Sequence, residues 1–431
     1  MERTYVNELK AGESVLLKGW VYESRKLAKM VFILLRDSSG IVQCISKDSS
    51  LISKISELPL ESVVEISGKV KKANIKAEFA RGDVEIEISD LRLLNKAEKL
   101  PIHVNEKTVK SNLSSRLDYR FLDVRKPNVN AIFKIRSSFY RHVVDFYEKK
   151  NFVVINTPKI TTIGLESGAE SFKVDYFNKT PVLAQSPQFY KQMFVMGGFE
   201  RVVEIGAVYR AEKSNTTRHL TEFTGVDFEM GFIKDENDVM DIIEEMMKYV
   251  LDKIKDERKE ELELMGIDLK VPKKIPRIPM LELKKMLLKK GKRLGENDDL
   301  DAEAEKIIGE YALKKFGEEF IFVTDYPAEV RPFYHMRPEN NLKGTRSFDL
   351  LWRGVEVATG AQREHRLYVL EKQAKEKKIK IPKIYEDIFK YGAIPHGGVG
   401  FGLDRMIQRM LNLDNTREAT LLPRDRMRLT P

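Results

Sequence analysis

Two hydrophobic patterns divide the chain. Between about Ser14 and Leu94, apolar and polar residues alternate in short runs separated by turn residues, which predicts half-buried β-strands. Five runs show this pattern: SVLLKGWVYES, KMVFILLRD, GIVQCIS, SVVEISGKV and DVEIEISDLRLL. With the short helical patch SLISKISEL they fit a five-stranded Greek-key barrel of the OB type, although any small antiparallel barrel would give the same pattern.

The pattern changes further along the chain. Ile132–Lys150 has a helical period, and strands and helices then alternate to the end, which predicts one large α+β domain. A charged, irregular stretch with two prolines lies between the two regions. A Lys/Glu-rich segment from Pro272 to about Gly317 is interpreted as an insertion. We therefore expect a barrel, a hinge and a large domain at residues 1–98, 99–130 and 131–431.

Composition narrows the class of protein. The 431 residues suit two or three domains, and no stretch approaches the roughly 18 apolar residues of a membrane helix. The start, MERTYVNELKAGES, is unlike a signal peptide, so we expect a cytoplasmic protein with no membrane association. The single cysteine, Cys44, excludes disulfides within the chain and thiolate zinc clusters. A net charge of +9 suits a polyanionic partner without establishing one.

Candidate chemistry begins in the strand–loop–strand stretch from Arg201 to Phe232. On its second strand Val226, Phe228 and Met230 would form one face, and Phe223, Asp227 and Glu229 the other. The loop carries Glu212, Arg218 and His219. A solvated hairpin would also alternate, but it would not usually place an aromatic ring among carboxylates beside Arg210. The pattern favours a functional face opposite a core face.

Two further stretches are ambiguous by themselves. The glycine-rich run Gly397–Arg405 precedes an apolar helix, and turns or close packing would give the same letters as a phosphate site; no GK[ST] follows, so it is not a P-loop. If Arg353-Gly354 is a two-residue hairpin turn, Asp349 lies diagonally across the ladder from Glu356, about 7–8 Å away. Such a pair could share a hard cation or could be two exposed acids.

Together these motifs resemble class II aminoacyl-tRNA synthetases. Tyr209-Arg210-x-Glu212, Arg218-His219 and Phe223 resemble motif 2, and Gly397–Arg405 resembles motif 3. The resemblance implies that Arg210 contacts the α-phosphate, Glu212 binds the adenine amino group and Phe223 stacks on adenine. It places Arg218 or His219 and Arg405 at the γ-phosphate, with Gly402 and Glu356 also at ATP. It implies Mg²⁺, and no zinc, at Asp349, Glu356 and Thr359.

Other stretches resemble the aspartyl branch of archaeal or eukaryotic type: Ala184-Gln-Ser-Pro-Gln-Phe-Tyr-Lys-Gln192, Gly360-Ala-Gln-Arg-Glu-His365 and Pro395-His-Gly-Gly398. Lys191 and Arg363 would then grip the substrate's side-chain carboxylate, Gln188 and Asp227 its ammonium group, with Thr359 beside them. Glu166 would belong to a mobile loop that closes over the amino acid. Three residues, Ala361, Ser167 and Ala169, differ from those most common at these positions in the aspartyl branch. A buried carboxylate requires paired positive charge, so Lys191 favours aspartate over asparagine.

The residues of the predicted barrel also occur in the order that is typical of this family. The resemblance therefore implies that the barrel has an anticodon-reading surface. Phe32 would stack on a base, and Gln43 and Glu85 would bind base edges near Arg25; alternatively Phe32 is barrel core, and Gln43 and Glu85 are ordinary strand surface. Ile132–Lys150 with Phe152–Pro158 resembles motif 1 and implies a homodimer. The resemblance thus implies an enzyme that loads L-aspartate onto tRNA(Asp) with ATP.

Three alternatives stay open: an asparagine–tRNA ligase, a non-catalytic RNA-binding paralogue and a tRNA-independent amide ligase. Tyr22 leaves open whether tRNA(Asn) is also a substrate, because it matches neither the tryptophan of strict relatives nor the histidine of relaxed ones.

Overall fold

The computed structural model describes residues 2–105, 110–162, 171–211 and 216–431. The chain divides into two compact units, residues 1–130 and 131–431. No helix in the described ranges is long and apolar enough to cross a membrane.

The first unit contains a closed five-stranded barrel. Its strands are β1 (Ser14–Leu27), β2 (Met30–Arg36), β3 (Ile41–Ser46), β4 (Val63–Lys72) and β5 (Ala80–Asn95), and α1 (Ser49–Ser56) joins β3 to β4. The barrel order is β1-β2-β3-β5-β4, with β3 parallel to β5 and β4 closing on β1. Asp48 caps α1 by accepting from the Ser50 and Leu51 amides. The expected OB barrel is confirmed.

The segment predicted to be a hinge packs partly on the barrel. It carries α2 (Leu113–Asp118) and α3 (Arg120–Asp123). Leu122 is buried in one cluster with Tyr22 and Leu34 of the barrel. Arg125 Nη1 donates to Glu61 Oε2 at 2.8 Å. The described part of residues 99–130 therefore groups with the barrel rather than standing apart from it.

The second unit is built around one eight-stranded sheet. In chain order the elements are α4 (Pro127–Lys149), β6 (Val153–Val154), β7 (Ile160–Thr161), β8 (Val182–Leu183), α5 (Gln188–Phe194), β9 (Arg201–Tyr209), β10 (Glu222–Gly231), α6 (Glu236–Glu257), α7 (Lys259–Leu264), β11 (Arg277–Pro279), α8 (Met280–Lys289), α9 (Ala302–Phe316), β12 (Phe320–Thr324), β13 (Ser347–Trp352), β14 (Glu356–Arg363), α10 (Leu367–Glu376), α11 (Lys383–Lys390), β15 (His396–Gly402) and α12 (Leu403–Met410).

Strand order in this sheet, among the described residues, is β11-β12-β13-β14-β15-β10-β9-β6. The pairs β11–β12 and β9–β6 are parallel, and the other pairs are antiparallel. The expected α+β class is confirmed.

The two faces of this sheet have different roles. One face packs on α4, α6 and α12 in the main core, to which β10 contributes Val226, Phe228 and Met230. This confirms the core face read from the alternation of β10. The opposite face carries Asp227 and Glu229 and leaves room for a cleft.

The segment interpreted as an insertion is an integral part of the sheet. It supplies the edge strand β11, and its helices α8 and α9 form a second core with β12 and β13 through Leu283, Ile308 and Ile321. The interpretation as an insertion was wrong, because the apolar residues of the segment are spread thinly among its lysines and glutamates. Their shared burial emerges only when the helices cover the sheet.

Candidate active site

A cleft of about 630 Å³ opens on the polar face of the large sheet. Side chains from β10, β14, β15 and the start of α12 line it, joined by the motif 2 loop and the segment before β13. The predicted site residues among them are Gln188, Arg210, Arg218, His219, Phe223, Asp227, Glu356, Thr359, Arg363, Gly402 and Arg405. Glu166 and Glu212 lie outside the described residues.

Arg210 and Phe223 form one wall of the cleft. The Arg210 guanidinium carbon lies 5.4 Å from the centre of the Phe223 ring, and the Arg210 amide donates to the Thr221 carbonyl across the hairpin. An arginine beside an exposed aromatic face provides a cation for phosphate and a flat surface for a base.

The glycine-rich run forms a strand rather than a phosphate-binding loop. Gly397, Gly398 and Gly400 lie inside β15, opposite Met230, Glu229 and Asp227 of β10. A Cβ on Gly398 would come within 2.2 Å of Glu229 Oε2, and one on Gly400 within 2.9 Å of Asp227 Oδ1. These glycines make room for two buried carboxylates.

Those carboxylates are paired with two buried cations. Lys191 Nζ donates to Asp227 Oδ1 at 3.1 Å and to the Val399 carbonyl at 2.9 Å, and lies 3.5 Å from Glu229 Oε2. Arg363 Nε donates to Glu229 Oε1 at 2.9 Å, and its Nη2 also donates to Gln188 Oε1 at 3.2 Å. The predicted aspartate ligands thus meet at one end of the cleft.

Burial and ion pairing act differently on the two carboxylates. Burial raises the pKa of Asp227, although Lys191 opposes the shift. Burial also disfavours the charge on Glu229, but Arg363 and Lys191 outweigh it and hold the pKa of Glu229 below its usual value. Glu229 is therefore the permanent anion that keeps both cations in place.

A buried histidine completes this end of the cleft. Arg363 Nη1 lies 3.0 Å from His335 Nε2, so Nε2 accepts and the ring hydrogen is on Nδ1. Burial and the nearby Arg363 and Arg331 hold the pKa of His335 well below its usual value, which keeps the ring neutral. A neutral acceptor orients the guanidinium without competing for its charge.

The hairpin between β13 and β14 has the predicted turn but not the predicted ladder. Trp352 and Val355 exchange backbone hydrogen bonds around Arg353 and Gly354, both with positive φ. A bulge then shifts the register, so Thr359 rather than Ala358 lies opposite Asp349. The expectation of a regular ladder was wrong by one residue, because periodicity alone does not locate a bulge.

The two acidic residues on this hairpin, Asp349 and Glu356, could supply some of the ligands of a hard cation. Asp349 Oδ2 accepts from Arg331 Nη2 at 2.5 Å, while its buried Oδ1 has no hydrogen-bond partner among the described residues. Glu356 is half-exposed, and its Oε1 accepts from Thr359 Oγ1 at 3.3 Å. The described ranges contain no cluster of three or more His, Cys, Asp or Glu side chains that could hold a metal. The donors therefore suit Mg²⁺, which takes one or two carboxylates and completes its shell with phosphates and water.

Another part of the site contains two contacts between a glutamate and an arginine. Arg405 Nη1 donates to the Glu356 carbonyl at 2.9 Å and lies 3.6 Å from Glu356 Oε1. Arg218 Nη1 donates to Glu305 Oε2 at 3.1 Å. Burial and the neighbouring Glu356 raise the pKa of Glu305 to about 7.

Sequence reasoning missed four residues of the site: Glu229 as a ligand of the two cations, Glu305, Arg331 and His335. Glu229 had a usable signal, because it shares the polar face of β10 with Asp227. The other three lie on segments far away in sequence, and no local pattern connects them to the cleft.

The barrel carries a separate cavity of about 700 Å³. Arg25, Phe32 and Gln43 line it together with Asn74, Lys76 and Glu78. Phe32 is half-buried beside Val31 and Ile33, which point into the barrel core, so the alternative of a core phenylalanine was wrong. Gln43 Nε2 donates to Glu85 Oε2 at 3.0 Å. Tyr22 is buried and does not line this cavity.

A barrel whose cavity is lined by the half-buried Phe32 and a sheet with this arginine-lined cleft are typical of a nucleic-acid-binding module joined to a nucleotide-activating domain. Residues 15–94 match the OB-fold nucleic acid binding domain, and residues 112–426 match tRNA synthetases class II (D, K and N). The chain belongs to this class II synthetase family, and the resemblance found in the sequence is confirmed.

The relatives are similar along their whole length. The chain is 43% identical to the aspartate–tRNA(Asp/Asn) ligase of Aeropyrum pernix, covering 97% of this chain and 96% of the relative. It is 42% identical to the aspartate–tRNA(Asp) ligase of Pyrococcus abyssi, covering 97% of each. Among solved structures, the asparaginyl-tRNA synthetase of Pyrococcus horikoshii with asparaginyl-adenylate is 32% identical, with a TM-score of 0.93 over 100% of both chains. The aspartyl-tRNA synthetase of Entamoeba histolytica is 31% identical, with a TM-score of 0.90 over 100% of this chain and 93% of that one.

Proposed function

We propose that this protein is an aspartate–tRNA ligase, which activates L-aspartate with ATP and transfers it to tRNA(Asp). The observation that carries the choice of amino acid is the buried pair Lys191 and Arg363 beside Asp227 and Glu229. The names of the relatives from Aeropyrum and Pyrococcus support the same choice.

Charge balance explains how the pocket would take aspartate. Two cations face two carboxylates, so the empty pocket is near neutral. The substrate ammonium group would bind Asp227 and Gln188, which frees Lys191 from Asp227 to face the substrate's side-chain carboxylate. Among the contacts of the described residues, Arg363 Nη1 uses one N–H on His335 and keeps its second for that carboxylate. An asparagine amide would bring no balancing carboxylate, so the buried group would carry one uncompensated positive charge.

Activation needs positioning and charge stabilisation rather than a side-chain base. The α-carboxylate of aspartate attacks the α-phosphorus of ATP, pyrophosphate leaves, and aspartyl-adenylate forms. Arg210 would bind the α-phosphate, where negative charge builds up, while Phe223 stacks on adenine. Arg218, His219 and Arg405 would bind the γ-phosphate. The terminal adenosine hydroxyl of tRNA then attacks the activated carbonyl and releases AMP.

Asp349, Glu356 and Thr359 would hold Mg²⁺ at the triphosphate. The ion would neutralise phosphate charge and help to align pyrophosphate as the leaving group. The buried, unpartnered Oδ1 of Asp349 and the half-exposed carboxylate of Glu356 support this assignment.

Further parts of the proposal concern partners and location. Arg25, Phe32, Gln43 and Glu85 would bind the anticodon, which the cavity beside Phe32 supports. The protein would act as a homodimer in the cytoplasm, with a barrel at residues 1–98, a connecting segment at 99–130 and a catalytic domain at 131–431. Both tRNA(Asp) and tRNA(Asn) are candidate substrates. A relative named for both tRNAs and a relative named for tRNA(Asp) alone are about equally similar to this chain.

Amino acid-dependent exchange of pyrophosphate into ATP tests the activation step. We expect exchange with aspartate and none above background with asparagine. Exchange with asparagine alone would instead support the asparagine–tRNA ligase, which the asparaginyl structure from Pyrococcus favours through its TM-score of 0.93. Aspartylation of purified tRNA(Asp) and tRNA(Asn), measured side by side, then decides the tRNA range.

A further inference from the structure

Helix α9 is fixed against the turn of the β13–β14 hairpin by two glycines. A Cβ on Gly309 would lie 2.4 Å from the Gly354 amide nitrogen, and one on Gly354 would lie 2.9 Å from the Lys306 Cα. Only glycine permits backbones this close. Glu305 precedes Gly309 by four residues, so it lies on the same face of α9 and is directed towards the start of β14.

The Glu305 carboxylate joins two parts of the cleft. Its Oε2 accepts from Arg218 Nη1 at 3.1 Å, and the carboxylate lies close enough to Glu356 and Arg405 to interact with their charges. The Glu305 side chain is only 13% exposed, whereas that of Arg218 is 32% exposed. A rigid helical carboxylate therefore holds an arginine that comes from a loop.

The pairing leaves Arg218 able to bind a second anion. Within the described ranges only its Nη1 donates to a side chain, so Nε and Nη2 keep their N–H groups. Glu356 and Arg405 also lie near Glu305, and there the carboxylate proposed to hold Mg²⁺ meets an arginine proposed to hold phosphate. Glu305 is thus placed to hold Arg218 beside the residues proposed to bind Mg²⁺ and phosphate.

We propose that Glu305 is a positioning residue for ATP, which orders Arg218 before the triphosphate arrives. The inference rests on the proposed function, because it takes the γ-phosphate as the anion that Arg218 meets. An arginine held in advance loses less rotamer entropy on binding, so its contribution appears in ATP affinity. The segment between β11 and β12 thereby acquires a role in the reaction.

The test compares Glu305→Gln with Glu303→Gln in the full-length protein. Glu303 is an exposed acid on the same helix that pairs with Lys292, which makes it a matched control. A lost charge-assisted hydrogen bond of about 1.5 kcal/mol raises the KM for ATP in aspartate-dependent exchange about tenfold. We expect this for Glu305→Gln, with the KM for aspartate and the melting temperature near wild type, and no change for Glu303→Gln.

A double-mutant cycle with Arg218→Ala separates positioning from a general structural effect. Once Arg218 is absent, Glu305→Gln should raise the KM for ATP by less than about twofold. Additive effects, an unchanged KM for ATP in Glu305→Gln, or an equal rise in both KM values would each overturn the proposal. If Glu305→Gln does not fold, Glu305→Asp takes its place in these measurements, and the same change in the KM for ATP is expected.

Calorimetric measurement of MgATP binding in the absence of amino acid distinguishes a failure of this inference from a failure of the proposed function. If the wild type binds MgATP but catalyses no exchange with aspartate, the proposed function fails. Weaker MgATP binding by Glu305→Gln would then still support the role of Glu305, and equal binding would overturn it. A wild type that does not bind MgATP would overturn both.

Discussion

At the scale of single residues, the proposed amino acid end of the cleft depends on four buried charges that balance. Glu229 is fully buried and holds Lys191 and Arg363 together. Removing one member of such a group leaves the others uncompensated, which costs more than the original interaction contributed.

Lys191→Met tests this balance. We expect aspartate-dependent exchange to fall by at least about 100-fold and the free energy of unfolding at pH 8 to fall by about 3 kcal/mol. Burial places the folded-state pKa of Asp227 above its unfolded value, so measuring at pH 5 instead of pH 8 favours protonation of Asp227 in the folded variant and reduces the deficit. Urea unfolding at both pH values measures it. Lys285→Met, an exposed lysine on α8, is the control, and a deficit independent of pH would contradict the argument.

A second prediction concerns His396, which is buried beside this group. Nδ1–H donates to the Ile394 carbonyl, Nε2 accepts from Gln192, and burial lowers the pKa of His396 to about 4. The unfolded state binds a proton near pH 6.5 and the folded state does not, so stability is full above that pH and is lost as the pH falls towards 4. His396 alone accounts for a loss of about 3 kcal/mol.

Replacement by a neutral side chain isolates this contribution. Urea unfolding of wild type and His396→Gln at several pH values from 7 to 4.5 should give a shallower decline for the variant. Parallel declines would show that His396 does not carry the pH dependence. Burial also lowers the pKa of His335, so part of the decline should persist in the variant.

At the scale of elements, close backbone contacts position the charged groups. In β15, glycines provide space for the carboxylates of β10; in α9, Gly309 brings the helix against the hairpin turn. A glycine inside a helix ordinarily weakens it by about 1 kcal/mol relative to alanine, so its presence here indicates a packing requirement.

Gly309→Ala should destabilise the protein, although alanine is normally favoured over glycine inside a helix. The added methyl group would lie 2.4 Å from the Gly354 nitrogen, so α9 must move away from the turn, and the free energy of unfolding should fall by about 1–3 kcal/mol. The KM for ATP should rise, since Glu305 moves with the helix. Glu310→Ala, at an exposed position of the same helix, is the control. A more stable Gly309→Ala protein with unchanged kinetics would refute the contact.

At the scale of the whole molecule, the two units separate the two proposed activities. The cleft is lined by residues of the second unit and the barrel cavity by residues of the first. Each unit has its own hydrophobic core.

A fragment of residues 127–431 tests this separation, because it keeps α4 intact. We expect aspartate-dependent exchange within about tenfold of the full chain, since the cleft residues all remain. Aminoacylation of tRNA(Asp) should fall by at least about 100-fold, because the proposed base-stacking surface is lost and each stacked base contributes about 1–3 kcal/mol. Loss of exchange in a folded fragment would contradict independent activation.

The sequence by itself determined the barrel, the α+β class, the polar face of β10 and the family, because these depend on short-range periodicity and on motifs of fixed spacing. It also placed Arg210, Phe223 and Arg405 in one cleft through their motifs. Only the tertiary structure decided that Glu229 holds Lys191 and Arg363, that a bulge sets Thr359 opposite Asp349, and that Glu305 reaches Arg218. These contacts join residues far apart in sequence, and their geometry depends on how closely backbones approach, which periodicity does not encode.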